Sequence, residues 1–482
     1  MTESAPMLPL AAAALLVAAE PPTYAKDVAA ILNDRCVACH RAGQAAPFPL
    51  TTYDEARRKA RTIAKVVESR QMPPWPAAQG DADFAHARRL SDAEIATLRA
   101  WADADAPSGD LATAPATPSF PNEWQLGTPD LLLSVAAPFP VPAEGRDIYR
   151  YFAVPLTISE VKHLSAIAIR SNEPSVVHHV LYYIDASGRL HERTDDDGRP
   201  GLRRVRVNEL KAIGGWAVGM DAARHPLGLG HELPRNSDLV LQVHFHPDGK
   251  ARNVTLDVGL YFTSEKPSRE LLEFQLPPEF GARYGIDIPA GEREYEVIDE
   301  WTTPAPIDLV SVWAHAHQVC VRAEAIATFP DGTTKELLTI PHWDFNWQLR
   351  YDFREPVRLP AGTRVTGRLV YDNSEDNPDN PHSPPKRVTW GEQTTDEMGS
   401  LIFNCVAADE ADKPALAKSY VEHAVRGSRL GKALIERAKA LDANGNKRIE
   451  KGEIPPRFRE RLEKLDTNGD GAVSFEELDR AS

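Results

Sequence analysis

Cysteine is scarce in this chain, with four residues among 482, and methionine numbers five. Four cysteines cannot build the dense disulfide framework of a small secreted scaffold. The chain also lacks a long apolar run, because the apolar stretch at residues 7–19 is too short to cross a bilayer. Basic residues are fewer than acidic residues, and the net charge is −15. That charge repels nucleic acid and anionic membrane surfaces, so we expect neither nucleic acid as a partner nor a membrane span.

The apolar stretch at residues 7–19 has the character of an export signal. It ends in Val17-Ala18-Ala19 before Glu20, which is typical of a signal-peptidase site. The residues before it carry no basic side chain, so the signal is imperfect. We predict a signal peptide over residues 1–19 and a periplasmic or secreted protein.

Two of the cysteines stand three residues apart and directly before a histidine. The stretch Cys36-Val37-Ala38-Cys39-His40 has the spacing that attaches a c-type haem, in which both thiols bond to the porphyrin and His40 takes one axial position on the iron. Met72, on a segment stiffened by Pro73 and Pro74, is our candidate for the second axial ligand. The alternative for the cysteines is half of a zinc site, but the chain has no second close pair to complete it. For Met72 the alternative is core packing.

The residue pattern changes several times along the chain and predicts a multidomain protein. A capped helical region over 20–103 has the size and helix order of a small all-α cytochrome c domain. Pro, Ala and Thr dominate residues 104–123, which we interpret as a linker. Beyond it, short alternating runs of β-branched and aromatic residues predict two antiparallel β-sandwich (jelly-roll) domains, 124–267 and 268–408. Residues 409–482 are predicted to form a helical tail.

Several histidines of the β region lie at spacings that strand geometry can interpret. Along the predicted strand 239–246, alternation places His244 and His246 on the face opposite the core side chains. His178 and His179 are adjacent, and adjacent side chains diverge in a regular strand. Joint metal binding by this pair therefore requires a bulge or a strand end, and ordinary hydrogen-bonded histidines are the alternative.

His315 and His317 are two residues apart, so both rings project from one face of a strand. Their backbone positions lie about 7 Å apart, which lets the rings converge on one ion. By the same alternation Cys320 falls on the opposite face, which argues against it as a ligand. Cys320 and Cys405 remain either a disulfide or two buried thiols, and sequence separation does not decide between them.

The order of these motifs resembles the copper type II, ascorbate-dependent monooxygenases, the family of peptidylglycine α-hydroxylating and dopamine β-monooxygenases. The resemblance covers about residues 124–408 and rests on four motifs in the family's order: His178-His179, Leu241-Gln242-Val243-His244, His315-Ala316-His317 and Thr394-Thr395-Asp396-Glu397-Met398. It implies an electron-transfer copper held by His178, His179 and His244, with His246 as a less favoured alternative to His244. It also implies an oxygen-binding copper held by His315, His317 and Met398, the expected catalytic residues.

The resemblance further implies the family's reaction, the hydroxylation of a C–H bond with O2 and two electrons, with ascorbate as a candidate reductant. The family places this chemistry across two β-sandwiches separated by a solvent cleft. The ligand types suit it. Three imidazoles tolerate both oxidation states of copper, whereas two imidazoles with a thioether favour Cu(I) and leave positions open for O2.

Peptide-amidating members of that family grip a substrate carboxylate with an Arg two residues before the His-x-His motif and with an Asn and a Tyr shortly after the Met. Here those places hold Trp313, Ser400 and Ile402. An indole leaves a carboxylate without a charge-assisted partner and suits an apolar or aromatic substrate better. We therefore expect a small apolar or aromatic substrate, and no turnover of peptides that end in glycine.

Two acidic loops near the C-terminus have the twelve-residue spacing of EF-hand calcium sites. The second loop, 466–477, has Gly471 at its sharp turn, and its predicted ligands are Asp466, Asn468, Asp470, Ala472 and Glu477. The first loop, 442–453, has Lys447 in place of the turn glycine, and its predicted ligands are Asp442, Asn444, Asn446 and Glu453. Because a side chain at that position costs backbone energy, we expect the first loop to bind more weakly, giving one or two Ca2+ in all.

These motifs together predict a copper monooxygenase fused to a single-haem cytochrome c. Its electrons would come through or alongside the haem, from ascorbate or from another electron-transfer protein. The alternative is an exported haem and copper protein that transfers electrons or binds copper without hydroxylating anything. Met398 disfavours that alternative, because a storage site gains little from an open oxygen-binding copper. A calcium-regulated scaffold, with ordinary surface histidines, is a third interpretation.

Overall fold

A computed structural model describes residues 20–42, 44, 46–119, 124–226, 228–282, 284–459, 465, 466 and 468–481. The signal peptide expected at residues 1–19 lies outside the described residues. None of the described helices combines the length and the apolar character that crossing a bilayer requires. Internal contacts divide the chain into two compact units. Unit 1 comprises Met1–Pro73 and Arg88–Pro118, and unit 2 comprises Pro74–Ala87 and Ser119–Ser482.

Unit 1 is helical. It contains a π-helical turn at Tyr24–Val28 and the helices α1 Ala29–Arg35, α2 Tyr53–Glu68 and α3 Asp92–Asp103. Helices α2 and α3 each begin with a capping box, in which a Thr or Ser and a Glu three residues on satisfy backbone N–H groups of the first turn. The capped helices expected from the sequence are therefore present. Their apolar faces meet in a core that includes Leu32, Ile63, Leu98 and Trp101.

Residues 104–118 pack on unit 1, although their composition predicts a linker. The Trp101 indole N–H donates to the Pro107 carbonyl at 3.0 Å, and the Thr117 hydroxyl donates to the Thr51 carbonyl at 2.8 Å. Composition indicated a linker because Pro, Ala and Thr bury little apolar surface. Hydrogen bonds to main-chain carbonyls hold this segment instead, and composition does not report them.

Residues 74–87 belong to unit 2, so the helical region expected as one stretch over 20–103 is discontinuous. The Trp75 ring meets the Tyr351 ring edge-on at 5.0 Å between centroids, and Phe84 stacks on Phe353 at 5.5 Å. Aromatic packing of this kind buries large apolar surfaces. It holds the segment against the β-sheets of unit 2.

Unit 2 is mostly β-sheet. Its strands are β1 Leu131–Ser134, β2 Phe139–Val141, β3 Ile148–Pro155, β4 Lys162–Ser171, β5 Val177–Asp185, β6 Lys211–Ala217, β7 Leu229–Leu233, β8 Asp238–Phe245, β9 Arg252–Val254, β10 Leu256–Thr263, β11 Arg269–Glu270, β12 Leu272–Leu276, β13 Asp287–Ile288, β14 Tyr295–Thr302, β15 Ile307–Ala316, β16 Cys320–Thr328, β17 Thr334–Ile340, β18 Arg350–Leu359, β19 Arg364–Tyr371, β20 Val388–Thr389, β21 Gly399–Ala407, β22 Arg448–Glu450 and β23 Ala472–Ser474. Its helices are α4 Lys413–Gly427, α5 Arg429–Lys439 and α6 Phe475–Ala481.

The first sheet pair consists of the sheets β1-β10-β4-β7-β11 and β3-β8-β5-β6. Neighbouring strands are antiparallel except β7 and β11. Leu164 and Val258 from one sheet and Val180 and Leu241 from the other share one hydrophobic core. Alternation along β8 thus sends its odd-numbered side chains into this core, as the sequence predicts.

The second sheet pair consists of the antiparallel sheets β12-β21-β15-β18 and β14-β19-β16-β17. Its core joins Leu309 and Phe403 of one sheet to Ala323 and Leu369 of the other. Antiparallel sheets with shared cores are consistent with the two predicted β-sandwiches. The sequence downstream is helical except for the short ribbon of β22 and β23, where Ile449 pairs with Val473.

Candidate metal centre

A β-bulge brings three histidines of the first sheet pair together. The pairing of β5 with β8 places Val177 opposite Phe245 and His179 opposite His244, so His178 is an extra residue in the register. A bulge re-aims the side chain of the extra residue. The bulge that joint metal binding by His178 and His179 requires is therefore present.

The Nδ1 atoms of these imidazoles converge. The Nδ1 atom of His179 lies 3.2 Å from Nδ1 of His178 and 3.4 Å from Nδ1 of His244. One ligand atom from each of the three lies within 4.8 Å of the others. This triad, as we call it from here on, could hold a metal ion, and imidazole nitrogen suits copper in either oxidation state.

Burial keeps the triad neutral. Burial is the main cause that lowers the pKa of all three imidazoles, and the pKa of His178 falls to about 3. Neutral imidazole is the form that binds a metal, so no proton has to leave at neutral pH. The Tyr149 ring stacks on His244 at 4.4 Å between centroids, and the Phe345 ring stacks on His178 at 4.3 Å. These rings shield the triad from water.

Asp147 supports the triad from behind, and sequence reasoning missed it. Its Oδ2 lies 3.5 Å from His244 Nε2 and accepts the Thr394 backbone N–H at 2.7 Å, while its Oδ1 lies 2.7 Å from His246 Nδ1. Burial favours the neutral acid, but the hydrogen bonds from both imidazoles hold the pKa of Asp147 below its usual range. His246, the alternative ligand, is therefore paired with Asp147 and is not part of the triad. No spacing in the sequence marks Asp147, because its partners are distant along the chain.

His315 and His317 form the core of a second group at the end of β15. Their ring centroids are 5.5 Å apart. Nδ1 of His315 lies 2.5 Å from Gln348 Oε1, and Nδ1 of His317 lies 3.2 Å from the Asp396 carbonyl oxygen. When Nδ1–H donates to these oxygens, each ring presents its Nε2 lone pair. Nε2 of His317 is buried and has no hydrogen-bond partner among the described residues, which fits a metal ligand.

Met398 lies beside His317 in the sheet. In the pairing of β15 with β21, Ala316 is opposite Gly399, so His317 and Met398 occupy the next position. Their backbone N–H groups both donate to Glu397 Oε1, at 2.6 and 2.9 Å. The Met398 side chain is 8% exposed. The register thus brings the backbone of Met398 next to the predicted His-x-His motif.

The two groups are in contact, whereas the resemblance implies a solvent cleft between them. The rings of His179 and His315 meet edge-on at 5.2 Å between centroids. The Phe345 ring fills the space beside them, stacked on His178 and edge-on to His317 at 6.1 Å. The five imidazoles therefore form one continuous cluster, and all of them except His178 are buried. The expectation of a water-filled gap at this point is wrong for this structure.

The cysteine prediction needs one correction. Cys320 begins β16 after a turn, so strand alternation from His317 does not apply to it. Its Sγ lies 3.5 Å from the Arg322 carbonyl oxygen. Cys320 and Cys405 are both buried free thiols, which resolves the choice between a disulfide and two thiols.

The predicted haem residues all belong to unit 1. The N–H groups of Cys39 and His40 both donate to the Cys36 carbonyl, at 3.2 and 2.9 Å, which folds the motif into one turn after α1. His40 Nδ1 lies 2.9 Å from the Phe48 carbonyl oxygen, an arrangement that leaves Nε2 for an iron. Burial lowers the pKa of His40, so its ring is neutral at neutral pH. Met72 follows α2 and is half-buried.

The acidic loops each fold around their first aspartate. In loop 442–453, the Asp442 carboxylate accepts the Lys447 backbone N–H at 2.8 Å. Lys447 has a φ of 61°, the left-handed conformation that favours glycine at this position. The other predicted ligands of this loop, Asn444, Asn446 and Glu453, lie in the same turn or close it.

In loop 466–477, the Asp466 carboxylate accepts the Gly471 N–H at 2.9 Å, and Glu477 accepts the backbone N–H of Asn468 at 3.1 Å. Thr467 lies outside the described residues. Arg448 of the first loop forms an ion pair with Asp470 at 2.6 Å. Ala472 is the first residue of β23, and calcium binding by either loop remains a prediction.

Comparisons with known proteins do not extend this picture. No family model matches the chain, and no curated protein matches it. Among solved structures, the major capsid protein P2 of bacteriophage PM2 is 12% identical, covers 58% of this chain and 98% of its own, and has a TM-score of 0.24. PNGase F, a glycosylasparaginase from Flavobacterium meningosepticum, is 11% identical, with 58% and 97% covered and a TM-score of 0.24. Scores this low carry no argument about fold or activity.

Proposed function

We propose that this protein is a copper monooxygenase that hydroxylates a C–H bond of a small substrate with O2, and that a fused c-type haem supplies its electrons directly or alongside ascorbate. The observation that carries the proposal is the contact between two unlike donor groups. One offers three imidazoles, and the other offers two imidazoles with Met398 at the neighbouring position of the sheet. Such a pair suits one copper that stores an electron and one that activates oxygen.

The chain's own residues divide the work between holding the metals and excluding water. His178, His179 and His244 would hold one copper through Nδ1, whereas His315 and His317 would hold the other through Nε2 together with Met398. Bound copper supplies one-electron chemistry and activates O2 for attack on the C–H bond. The Nδ1 protons of the second group stay with Gln348 and the Asp396 carbonyl. The rings of Phe345 and Tyr149 keep the cluster dry.

Unit 1 holds the haem in this proposal. Cys36 and Cys39 would attach it through thioether bonds, and the hydrogen bond from His40 to the Phe48 carbonyl would orient the imidazole that holds the iron. Met72 would be the second protein ligand, and Met/His ligation would raise the haem potential. The proposal also includes export to the periplasm or outside of the cell and one or two structural calcium ions in the loops 442–453 and 466–477.

The experiment is a metal analysis combined with oxygen uptake on the full-length, copper-loaded protein. We expect about two coppers and one iron per chain, and oxygen uptake with a member of a panel of aromatic amines, phenethyl alcohols and glycine derivatives. Met398→Ile should abolish substrate-dependent uptake while the haem spectrum and the triad copper remain. Met220→Ile, outside both groups, is the matched control and should stay active. Two bound coppers with no substrate-dependent uptake would contradict the proposal.

A second candidate function has one observation in its favour. His179 and His315 touch, and His315, His317 and Met398 are all buried, so the described residues leave the second group closed to solvent. A closed cluster suits a copper-binding electron-transfer protein that does not hydroxylate. In that case Met398→Ile would change the copper potential but no oxygen uptake would be lost, which the same experiment measures.

A further inference from the structure

One loop of the second sheet pair covers both histidine groups. Residues 341–349 connect β17 to β18 and contain no regular secondary structure. The Phe345 ring in this loop stacks on His178 at 4.3 Å between centroids and meets His317 edge-on at 6.1 Å. A single side chain therefore contacts both predicted copper sites. Because the second group is buried, part of its cover has to move before a copper ion reaches it.

The ends of the loop are fixed by hydrogen bonds. The Trp343 backbone N–H donates to the Val321 carbonyl at 2.9 Å, and its indole N–H donates to the His317 carbonyl at 3.1 Å. The Gln348 amide donates to the Ala316 carbonyl at 3.2 Å. Trp343 and Gln348 are both buried. Moving either end would leave buried polar groups without partners, which costs more than an ordinary hydrogen bond contributes.

Residues 344–347, which we call the tip, form a turn that is closed on itself. Asp344 Oδ1 accepts the Asn346 backbone N–H at 2.9 Å, and the Asp344 carbonyl accepts the Trp347 N–H at 3.0 Å. These bonds lie within the tip and move with it. The tip can therefore shift as one body without losing them.

Ring contacts join the tip to the first sheet pair. Phe345 lies on His178, and a Cβ added at Gly219 would lie 2.9 Å from the Trp347 ring, so that ring packs closely on the residues after β6. Among the residues that the structure describes, no hydrogen bond or ion pair links the tip to the first sheet pair. Separating two rings leaves no polar group without a partner. The tip is thus the part of the loop that opens at least cost.

The opening leads to both histidine groups. His178 is half-buried, whereas His179 and His244 are buried. Phe345 therefore covers the least buried histidine of the triad, and the same ring borders His317 of the second group. Moving this one ring uncovers a histidine of each group.

We propose that the tip is a gate. It swings about the two fixed ends of the loop, Phe345 leaves His178 and His317, and copper ions and small molecules enter through the gap. The inference rests on copper binding in the proposed function and does not need hydroxylation, because copper has to reach the imidazoles under either candidate function. A gate explains how a cluster that is closed to solvent exchanges metal.

The test follows Cu(I) in both directions with the full-length protein under anaerobic conditions. Loading starts from copper-free protein and a Cu(I)–bicinchoninate complex, and extraction starts from copper-loaded protein and excess bathocuproine disulfonate. Protein-bound copper is measured over time. Because gate opening precedes both processes, Phe345→Ala should accelerate loading and extraction alike, by roughly tenfold for the loss of one aromatic contact. The copper affinity should stay within about threefold of the parent value, since equal changes in both rates cancel.

A purely structural ring gives a different result. If Phe345 only holds His178 in place, Phe345→Ala weakens the affinity and accelerates extraction while loading keeps the parent rate. That outcome would overturn the gate, and so would parent rates in both directions. Phe345→Leu retains most of the bulk and guards against misfolding of the smaller variant. It should give rates between those of the parent and of Phe345→Ala.

Phe280→Ala is the matched control. The Phe280 ring meets His315 edge-on at 5.1 Å, but the Phe280 carbonyl accepts the Trp390 indole N–H at 3.0 Å, and the residue lies outside the tip. We expect both rates to stay within about threefold of the parent, because this ring contact does not hold the tip. Equal acceleration by Phe280→Ala and Phe345→Ala would overturn the assignment, since entry would then not depend on the tip.

The copper exchange rates are independent of oxygen uptake. If Phe345→Ala accelerates loading and extraction alike and the parent shows no substrate-dependent uptake, hydroxylation fails and the gate stands. If uptake occurs and the exchange rates do not respond to Phe345→Ala, the gate fails alone.

Discussion

The triad and the second histidine group differ in how their rings are held. In the triad, a bulge in β5 sets two adjacent histidines beside a third, and their Nδ1 atoms face one another. In the second group, Gln348 and the Asp396 carbonyl occupy Nδ1, so Nε2 is presented. Backbone register brings the triad together, with only a distant carboxylate behind His244, whereas the second group depends on close oxygens supplied by loops. We therefore expect the triad to tolerate loss of its neighbours better than the second group does.

The largest effect should come from His179→Ala, because His179 contacts both groups and its loss affects both at once. Loss of this ring removes a ligand of the triad and the edge-on contact with His315. We expect turnover to fall more than a hundredfold, beyond the range seen for outer partners of a metal site, and copper content to fall by at least one. Oxygen uptake and metal analysis measure both. His246→Ala is the control, and a loss of copper there as large as in His179→Ala would contradict our ligand assignment.

Gln348→Leu should weaken the second group selectively. Without the Gln348 oxygen, the His315 ring can rotate or place its proton on Nε2, so we expect a 10- to 100-fold loss of copper affinity at that group. The triad should keep its affinity. Copper titration followed by electron paramagnetic resonance separates the two sites. Gln348→Glu retains an acceptor and should restore most of the affinity, while an equal loss at both sites would indicate general unfolding instead.

Asp147→Asn should have a smaller effect on the triad. Its carboxylate lies 3.5 Å from His244 Nε2, longer than an ordinary hydrogen bond. We therefore expect less than a tenfold loss of copper affinity, in contrast to Gln348→Leu. The measurement is the same titration in a Met398→Ile background, where the triad copper is observed alone. A loss larger than that of Gln348→Leu would reverse the ranking of the two supports.

The smallest effects concern stability against pH in the copper-free protein. Burial lowers the pKa of His315 and of His317 to about 3, so each contributes stability that is present above the unfolded pKa of about 6.5 and is lost as pH falls towards 3. His246 has the opposite sign, because Asp147 raises its pKa and its stability is lost as pH rises.

Thermal melts from pH 7 to pH 4 should show this contrast. The parent should lose stability on acidification, His315→Gln should lose less, and His246→Gln should lose more. Bound copper should reduce the loss of stability on acidification, because protons and metal compete for the same nitrogens. Melts that are flat across this range for the copper-free parent would contradict buried neutral imidazoles.

Local spacing predicted which histidines the structure brings together, because strand geometry is local. Alternation placed His244 off the core, and adjacency showed that His178 and His179 need a bulge. The alternation argument failed at Cys320, because a turn separates Cys320 from the strand that carries His315. The capped helices of unit 1 could likewise be predicted from the sequence, because a capping box spans only four residues.

Long-range contacts could not be predicted in the same way. Asp147 and Gln348 reach their histidines from just before neighbouring strands of the same sheet. The contact between His179 and His315 depends on how two sheet pairs pack. Nothing in the periodicity of either strand reports that packing.

The division of the chain at residues 74–87 has a consequence for anyone who cuts the gene. Composition suggests cutting the chain near residue 120. The C-terminal fragment made that way would lack Trp75, Ala77 and Phe84. Those side chains are in or against the core of the second sheet pair. A catalytic fragment that starts there is expected to be less stable than the parent, and adding residues 74–87 as a separate peptide should restore part of the loss.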